Sequence, residues 1–211
     1  MSTRAASAQA PEPASTRDAI LDAAERCFAE RGFAGVSMRE IAAEVGLKNQ
    51  ASLYHHFTDK RALYEAAFAR GVAPIVALMQ ESGGRWLDAA TVERNVDRLI
   101  DYLTEHPHLP RLIQRAGLDD SRSLRTSVTT LLRPLYAEGL RLLQGAPGPW
   151  QPEDLPRLAT GLYHLIFGYF TDAALLEAIV EEDPRSPAAV TRQRRFLKAA
   201  VTQLLGVSHG R

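Results

Sequence analysis

Apolar residues recur three and four positions apart along most of this chain, and no stretch alternates apolar with polar residues as a half-buried strand would. The expectation is an all-α protein. A first helix over about 17–31 gathers Ile20, Ala24, Cys27 and Phe28 on one face. Ser15 or Thr16 can cap it, Asp18 suits the positive end of its dipole, and Gly32 stops it. The second helix has the sharpest start signal. Ser37 and Glu40 form an S-x-x-E capping box, with Val36 and Ile41 at the staple positions around it. Gly46 supplies its stop. Asn49 caps a short third helix over 50–56, and Thr58 is placed to cap a fourth. Pro74 inside the fourth predicts a kink or interruption.

Beyond Ser82-Gly83-Gly84 the pattern predicts helices over about 86–105, 111–116 and 123–144, the last containing Pro134. A proline-rich linker over 145–156 follows. The segment 155–181 is apolar on nearly every side (Leu162, Leu165, Ile166, Phe167, Phe170, Leu176, Ile179) and reads as one helix buried all round. Ser186-Pro187 starts a final helix carrying Phe196, Leu197, Val201 and Leu204, and Gly206 ends it.

The chain has 211 residues and a formal net charge of zero. Residues 1–70 hold 9 basic and 9 acidic side chains, and the remainder 16 of each, so any electropositive surface must be local. Cys27 is the only cysteine and falls on an apolar stripe, which excludes an intrachain disulfide and reads as core. Residues 1–15 are rich in Ala, Ser and Pro and predict a disordered tail rather than a signal peptide. No apolar run reads as a membrane span, and a cytoplasmic setting is expected.

Helix 2, a tight turn and helix 3 have the proportions of a helix-turn-helix, whose second helix enters the DNA major groove. With Leu53 and Phe57 pointing inward, Ala51 and His55 fall on the opposite side, flanked by Ser52 and Tyr54. Gln50 can pair with an adenine edge, the Ala51 methyl can meet a thymine methyl, and His55 can donate or accept. Ser52 and Tyr54 can reach phosphates, with Lys48 and Lys60 adding charge at the two ends. A short surface helix with no ligand would show the same spacing.

The neighbouring residues narrow the choice. AILDAAERCFAERGFAGVSMREIAAEVG followed by SLYHHFTDKRALYEAAF resembles the DNA-binding domain of TetR-family transcriptional regulators. The marks are Phe28 before Arg31-Gly32-Phe33, the Ile41-Ala42 pair, the Leu53-Tyr54 pair and Phe57-x-x-Lys60. The turn Gly46-Leu47-Lys48-Asn49 is one residue longer than the family's commonest, and Asn49 takes the place of the usual cap serine. The resemblance carries backbone contacts over to Ser37, Arg39 and Lys60. It implies an N-terminal three-helix helix-turn-helix DNA-binding domain over 16–62 and a larger helical ligand-binding and dimerisation domain over 63–211. The implied partners are double-stranded operator DNA, a second copy of the chain and a small molecule, with no cofactor. Repression relieved by that small molecule is the implied mode of action.

In the second domain Trp86, Tyr102, Tyr136, Tyr163, His164 and Phe167 are candidates to line a cavity, and each also fits ordinary core packing. Leu162, Phe170, Leu176, Phe196, Leu197, Val201 and Leu204 are candidates for a two-fold interface, or else for one large monomeric core. Two rival functions were weighed. A helical metal-dependent enzyme would need a third ligand beside His106-x-His108. A protein-binding scaffold leaves the polar surface of helix 3 unexplained.

Overall fold

The computed structural model describes residues 15–81, 88–118 and 122–207. The expected tail and Trp86 lie outside them. Among the described residues the fold has ten α-helices, one 3-10 turn (Pro152–Asp154) and no strand.

The N-terminal unit holds α1 (Thr16–Arg31), α2 (Met38–Glu44) and α3 (Ala51–Tyr54). Ser15 caps α1 by accepting from the Asp18 amide, and Gly32 leaves it at φ 73°. Both halves of the Ser37/Glu40 capping box form. Asn49 Oδ1 accepts from the Ser52 amide at 3.1 Å, so the expected cap of α3 is present, though the regular helix is shorter than the expected 50–56.

α4 (Lys60–Glu81) runs from this unit into the second one. Its cap is Asp59, which accepts from the Ala62 amide at 2.7 Å, and not the expected Thr58. Of the kink or interruption expected at Pro74, the interruption is corrected: α4 passes through Pro74 as one helix. Pro74 is exposed, while Val72, Ile75 and Leu78 are buried on the inner face, and packing of α4 on α7 and α1 carries the helix past the missing amide. By length and composition alone α4 could cross a membrane. Its apolar residues Leu63, Tyr64, Ala67 and Phe68 are instead part of the protein's own core.

The second unit continues with α5 (Ala89–Glu105), α6 (Leu109–Leu118), α7 (Arg122–Leu143), α8 (Leu155–Thr171), α9 (Ala173–Val180) and α10 (Pro187–Leu205). Asp88 caps α5. α7, like α4, continues through its proline. The single helix expected over 155–181 is two helices, because the chain turns by 70° between α8 and α9 at Asp172. Asp172 is capping residue for both, and the apolar residues beyond it are not buried all round: Leu175, Ile179 and Val180 are exposed. α10 lies along α5, tied by Arg194 to Asp97 (3.1 Å) and Asp101 (2.5 Å) and by Lys198 to Asp97 (2.6 Å). Burial acts to raise the Asp97 carboxyl, but Lys198 and Arg194 hold it below its usual value.

One hydrophobic cluster extends from Ile20 in α1 to Val207 after α10. At Gly71 α4 passes close to the start of α6. A Cβ there would stand 2.5 Å from Leu109 Cδ1, and the Gly71 carbonyl accepts from the Tyr102 hydroxyl at 2.8 Å. A Gly71→Leu variant is therefore expected to lose about 1–3 kcal/mol despite its better helix propensity, read from urea unfolding.

Candidate nucleic-acid interface and ligand cavity

Leu53 (0% exposed) and Phe57 (5%) anchor α3 inward, as expected. Ala51, Tyr54 and His55 stand exposed on the other side, and Tyr54 is 48% exposed. Gln50 Nε2 donates to the Tyr54 hydroxyl at 3.0 Å, so the two side chains meet along the outer face of α3. Lys48 and Asn49 are exposed at its start, and Arg39 is exposed on α2. The chain thus gathers Arg39, Lys48, Asn49, Gln50, Ala51, Ser52, Tyr54 and His55 around one short helix.

Two expected phosphate contacts have other work. Lys60 turns its ammonium inward, donating to the carbonyls of Phe33 and Val36 at 2.8 Å each and lying 4.3 Å over the Phe33 ring. It ties the start of α4 to the turn between α1 and α2, and its reading as a phosphate group is corrected on that ground. Ser37 is exposed, but its hydroxyl donates to Glu40 at 2.6 Å within the capping box. The Ser37 hydroxyl and amide, and then Arg31, hold the Glu40 carboxyl down to about 2.

Below this surface an aromatic cluster locks α1 to α4. Tyr64 meets Phe28 at 5.0 Å and Phe33 at 5.4 Å, both edge-on, and Phe68 at 6.1 Å. Polar ties follow the same seam. Arg70 of α4 reaches Asp22 at 2.6 Å and the nearly buried Glu25 at 3.7 Å, whose carboxyl burial pushes up. Arg115 of α6 donates to the Glu30 carbonyl at the end of α1 at 2.6 Å. Sequence reasoning missed Arg70 and Arg115, since neither differs in pattern from a solvated helical arginine.

The second unit encloses a cavity of about 550 Å³ between α4, α5, α6, α7, α8 and α10. Tyr136, Tyr163, His164 and Phe167 line it, as expected. Tyr102 does not: its hydroxyl is spent on Gly71 and its ring stacks on His106 at 4.4 Å. Burial pushes the Tyr163 hydroxyl up, and its ring stacks on Phe167 at 4.9 Å. Three glycines inside helices, Gly117, Gly139 and Gly168, also line the cavity, and a Cβ at any of them would meet nothing within 4 Å. They were visible in the sequence only as breaks of helix propensity.

The expected interface residues divide. Phe170 (4% exposed), Leu197 (0%) and Val201 (1%) belong to the protomer's own core, which corrects their reading as contact residues. Leu162 lines the cavity, and Leu204 packs against the core beside Trp150. Leu176 is half-buried, while Phe196 is 52% exposed.

Comparison with known proteins defines the class. Residues 20–67 match the model of the tetR family of bacterial regulatory proteins. The transcriptional repressor AcnR of Corynebacterium glutamicum is 35% identical over 72 residues, 34% of this chain and 38% of AcnR. A transcriptional regulator of Haemophilus influenzae is 30% identical over 136 residues, 63% of this chain and 65% of that one. The chain thus spans little more than a third of the length of the AcnR relatives it matches. Among solved structures, PfmR of Thermus thermophilus has the same fold with a TM-score of 0.64 at 18% identity, over 94% of this chain and 100% of PfmR. The fatty acid degradation regulator FadR of Bacillus halodurans gives 0.66 at 18% identity, over 90% and 98%. Residues 20–67 thus match the tetR family, and the chain as a whole shares the fold of these solved regulators.

Two measurements test the division of labour at this surface. Lys60→Met is expected to destabilise the protein by about 1.5–3 kcal/mol by stripping two buried carbonyls of a charged donor, whereas Arg39→Ala and Lys48→Ala stay within about 0.5 kcal/mol of the parent. Because Glu40 titrates near 2 when folded against 4.5 ordinarily, its stabilisation is complete above about pH 4.5 and is lost as pH falls through about 2. The difference in melting temperature between parent and Glu40→Gln should shrink across that window.

Proposed function

We propose that the protein is a cytoplasmic DNA-binding transcriptional regulator, a homodimeric repressor released from its operator by a small molecule, and not an enzyme. The observation that carries the reading is α3: inside a matched tetR-family domain, its buried side is fixed by Leu53 and Phe57 while Ala51, Tyr54 and His55 face outward. A helix held this way can enter a major groove with its first residues against base edges. Gln50, Ala51 and His55 read bases in this proposal. Ser52, Tyr54, Asn49, Lys48 and Arg39 grip phosphates, and Ser37 adds its exposed edge.

The dimer brings two copies of α3 about 34–36 Å apart. Exposed Leu175, Ile179 and Val180 of α9 and Phe196 of α10 supply apolar surface for it, with half-buried Leu176 beside them. Ligand control is supported by the place of α6. Its residues Ile113, Gln114 and Gly117 line the cavity, while Arg115 of the same helix holds the end of α1. A ligand that binds one placement of α6 better than another shifts the placement of α1, and with it α3.

Binding of the purified protein to its own upstream intergenic DNA, followed by fluorescence anisotropy over a salt series, tests the reading. One fragment should bind tightly, with affinity falling as salt rises. Lys48→Ala should weaken every sequence alike and flatten the salt dependence by about one phosphate. Gln50→Ala should cost about 1–3 kcal/mol and relax the sequence preference at one position. If selection from genomic fragments yields no specific site either, the DNA reading fails and a protein-binding scaffold takes its place.

A further inference from the structure

From the make-up of the cavity we infer its ligand class: a mainly apolar molecule whose polar group is uncharged, such as a long-chain alcohol, and not a carboxylate or phosphate. The inference rests on the ligand-responsive reading above and adds the chemistry of the ligand to it. Its basis is the distribution of charge. Among the described residues that line the cavity there is no Lys or Arg. The walls are Ile75, Leu99, Leu132, Leu135, Ile166 and their neighbours. The most deeply buried polar side chain among them is Asn95, 5% exposed, an amide that carries no charge. The ionisable groups of the lining besides the tyrosines, His164 and Asp172, are both exposed, at the rim. An anionic head placed inside would lose its hydration without meeting a Lys or Arg among the described lining residues, and one left at the rim would face the Asp172 carboxylate as well as the His164 imidazole. A cationic head would meet one carboxylate at the rim and an apolar interior beyond it.

The glycines are an independent observation for the size of the occupant. Gly117 on α6, Gly139 on α7 and Gly168 on α8 each present bare backbone to the cavity, and a side chain at any of them would have open space to enter. Glycine inside a helix is unfavourable. Here its effect is to widen the cavity on three walls, to a volume typical of sites for whole drug-sized or lipid-sized molecules.

The experiment uses the full chain and a neutral fluorescent probe, N-phenyl-1-naphthylamine, displaced by three compounds with the same twelve-carbon chain: dodecanol, dodecanoate and dodecyltrimethylammonium. Dodecanol is expected to displace the probe at about tenfold lower concentration than either ionised compound, or lower still. A Gly139→Leu, Gly168→Leu variant fills the space and is expected to weaken dodecanol about tenfold or more, while its helical circular dichroism matches the parent. Asp172→Lys, at an exposed position, is expected to narrow the gap between dodecanol and dodecanoate. Equal or tighter binding of dodecanoate or of the ammonium compound by the parent overturns the inference, as does unchanged dodecanol binding by the filled variant. Failure of all three compounds to displace the probe, or of the probe itself to bind, also overturns it. Operator binding, measured on the same preparation, stands or falls separately.

Discussion

The contact between α1 and α4 through Phe28, Phe33, Tyr64 and Phe68 is the constraint on which the rest of the molecule is built. Edge-to-face rings have preferred angles as well as distances, so the cluster fixes how α1 lies on α4 and not merely that it does. Lys60 closes the cluster from the side, its ammonium over Phe33 and bonded to two carbonyls of the turn. The orientation of α2 and α3 then follows from that turn and from Leu53 and Phe57 beneath. Farther along the same helix, Ile75, Leu78 and Met79 form part of the cavity wall. One continuous helix therefore has its first turn in the N-terminal unit and its last turns against the cavity of the second. A change at either end is felt at the other because a packed helix moves as a body.

The N-terminal unit was legible because its signals are local. A capping box, a glycine stop and the spacing of Leu53 and Phe57 act within a few residues, and each appeared where the pattern placed it. The second unit was legible as helical but not in helix number or detail: five helices were expected after α4, and there are six among the described residues. The break between α8 and α9 has no proline or glycine to announce it: Asp172 sits in a run that stays apolar on both sides, and only tertiary packing decides that the chain turns there. Leu197 and Val201 have the same helical spacing as Phe196, and nothing in the sequence says which side of α10 meets α5. Lys60 was misread for a related reason. A basic residue next to a groove-binding helix suggests an anion, but a lysine stem can just as well lie along an aromatic face and carry its charge to backbone carbonyls.

Seams between the units rest on arginines. Arg70 joins α4 to two carboxylates of α1, and Arg115 joins α6 to a carbonyl at its end. Hydrogen bonds of this kind are directional, so they report small displacements more sharply than an apolar contact does. Glu25 is the most buried carboxylate at this joint, and its environment opposes its charge except where Arg70 offsets it. The joint thus combines a stiff aromatic half with a polar half that has alternatives in water.

The helical glycines have a consequence for how such a protein diversifies. A Cβ placed at Gly117, Gly139 or Gly168 would meet nothing within 4 Å, so each position can take a small side chain without repacking the core. Most substitutions in a helical core carry a folding penalty that selection must first absorb. Here the interior can acquire a methyl or a hydroxyl one codon at a time while the N-terminal surface stays as it is. Descendants of this chain can therefore change what the cavity holds without first changing α3 and its surroundings.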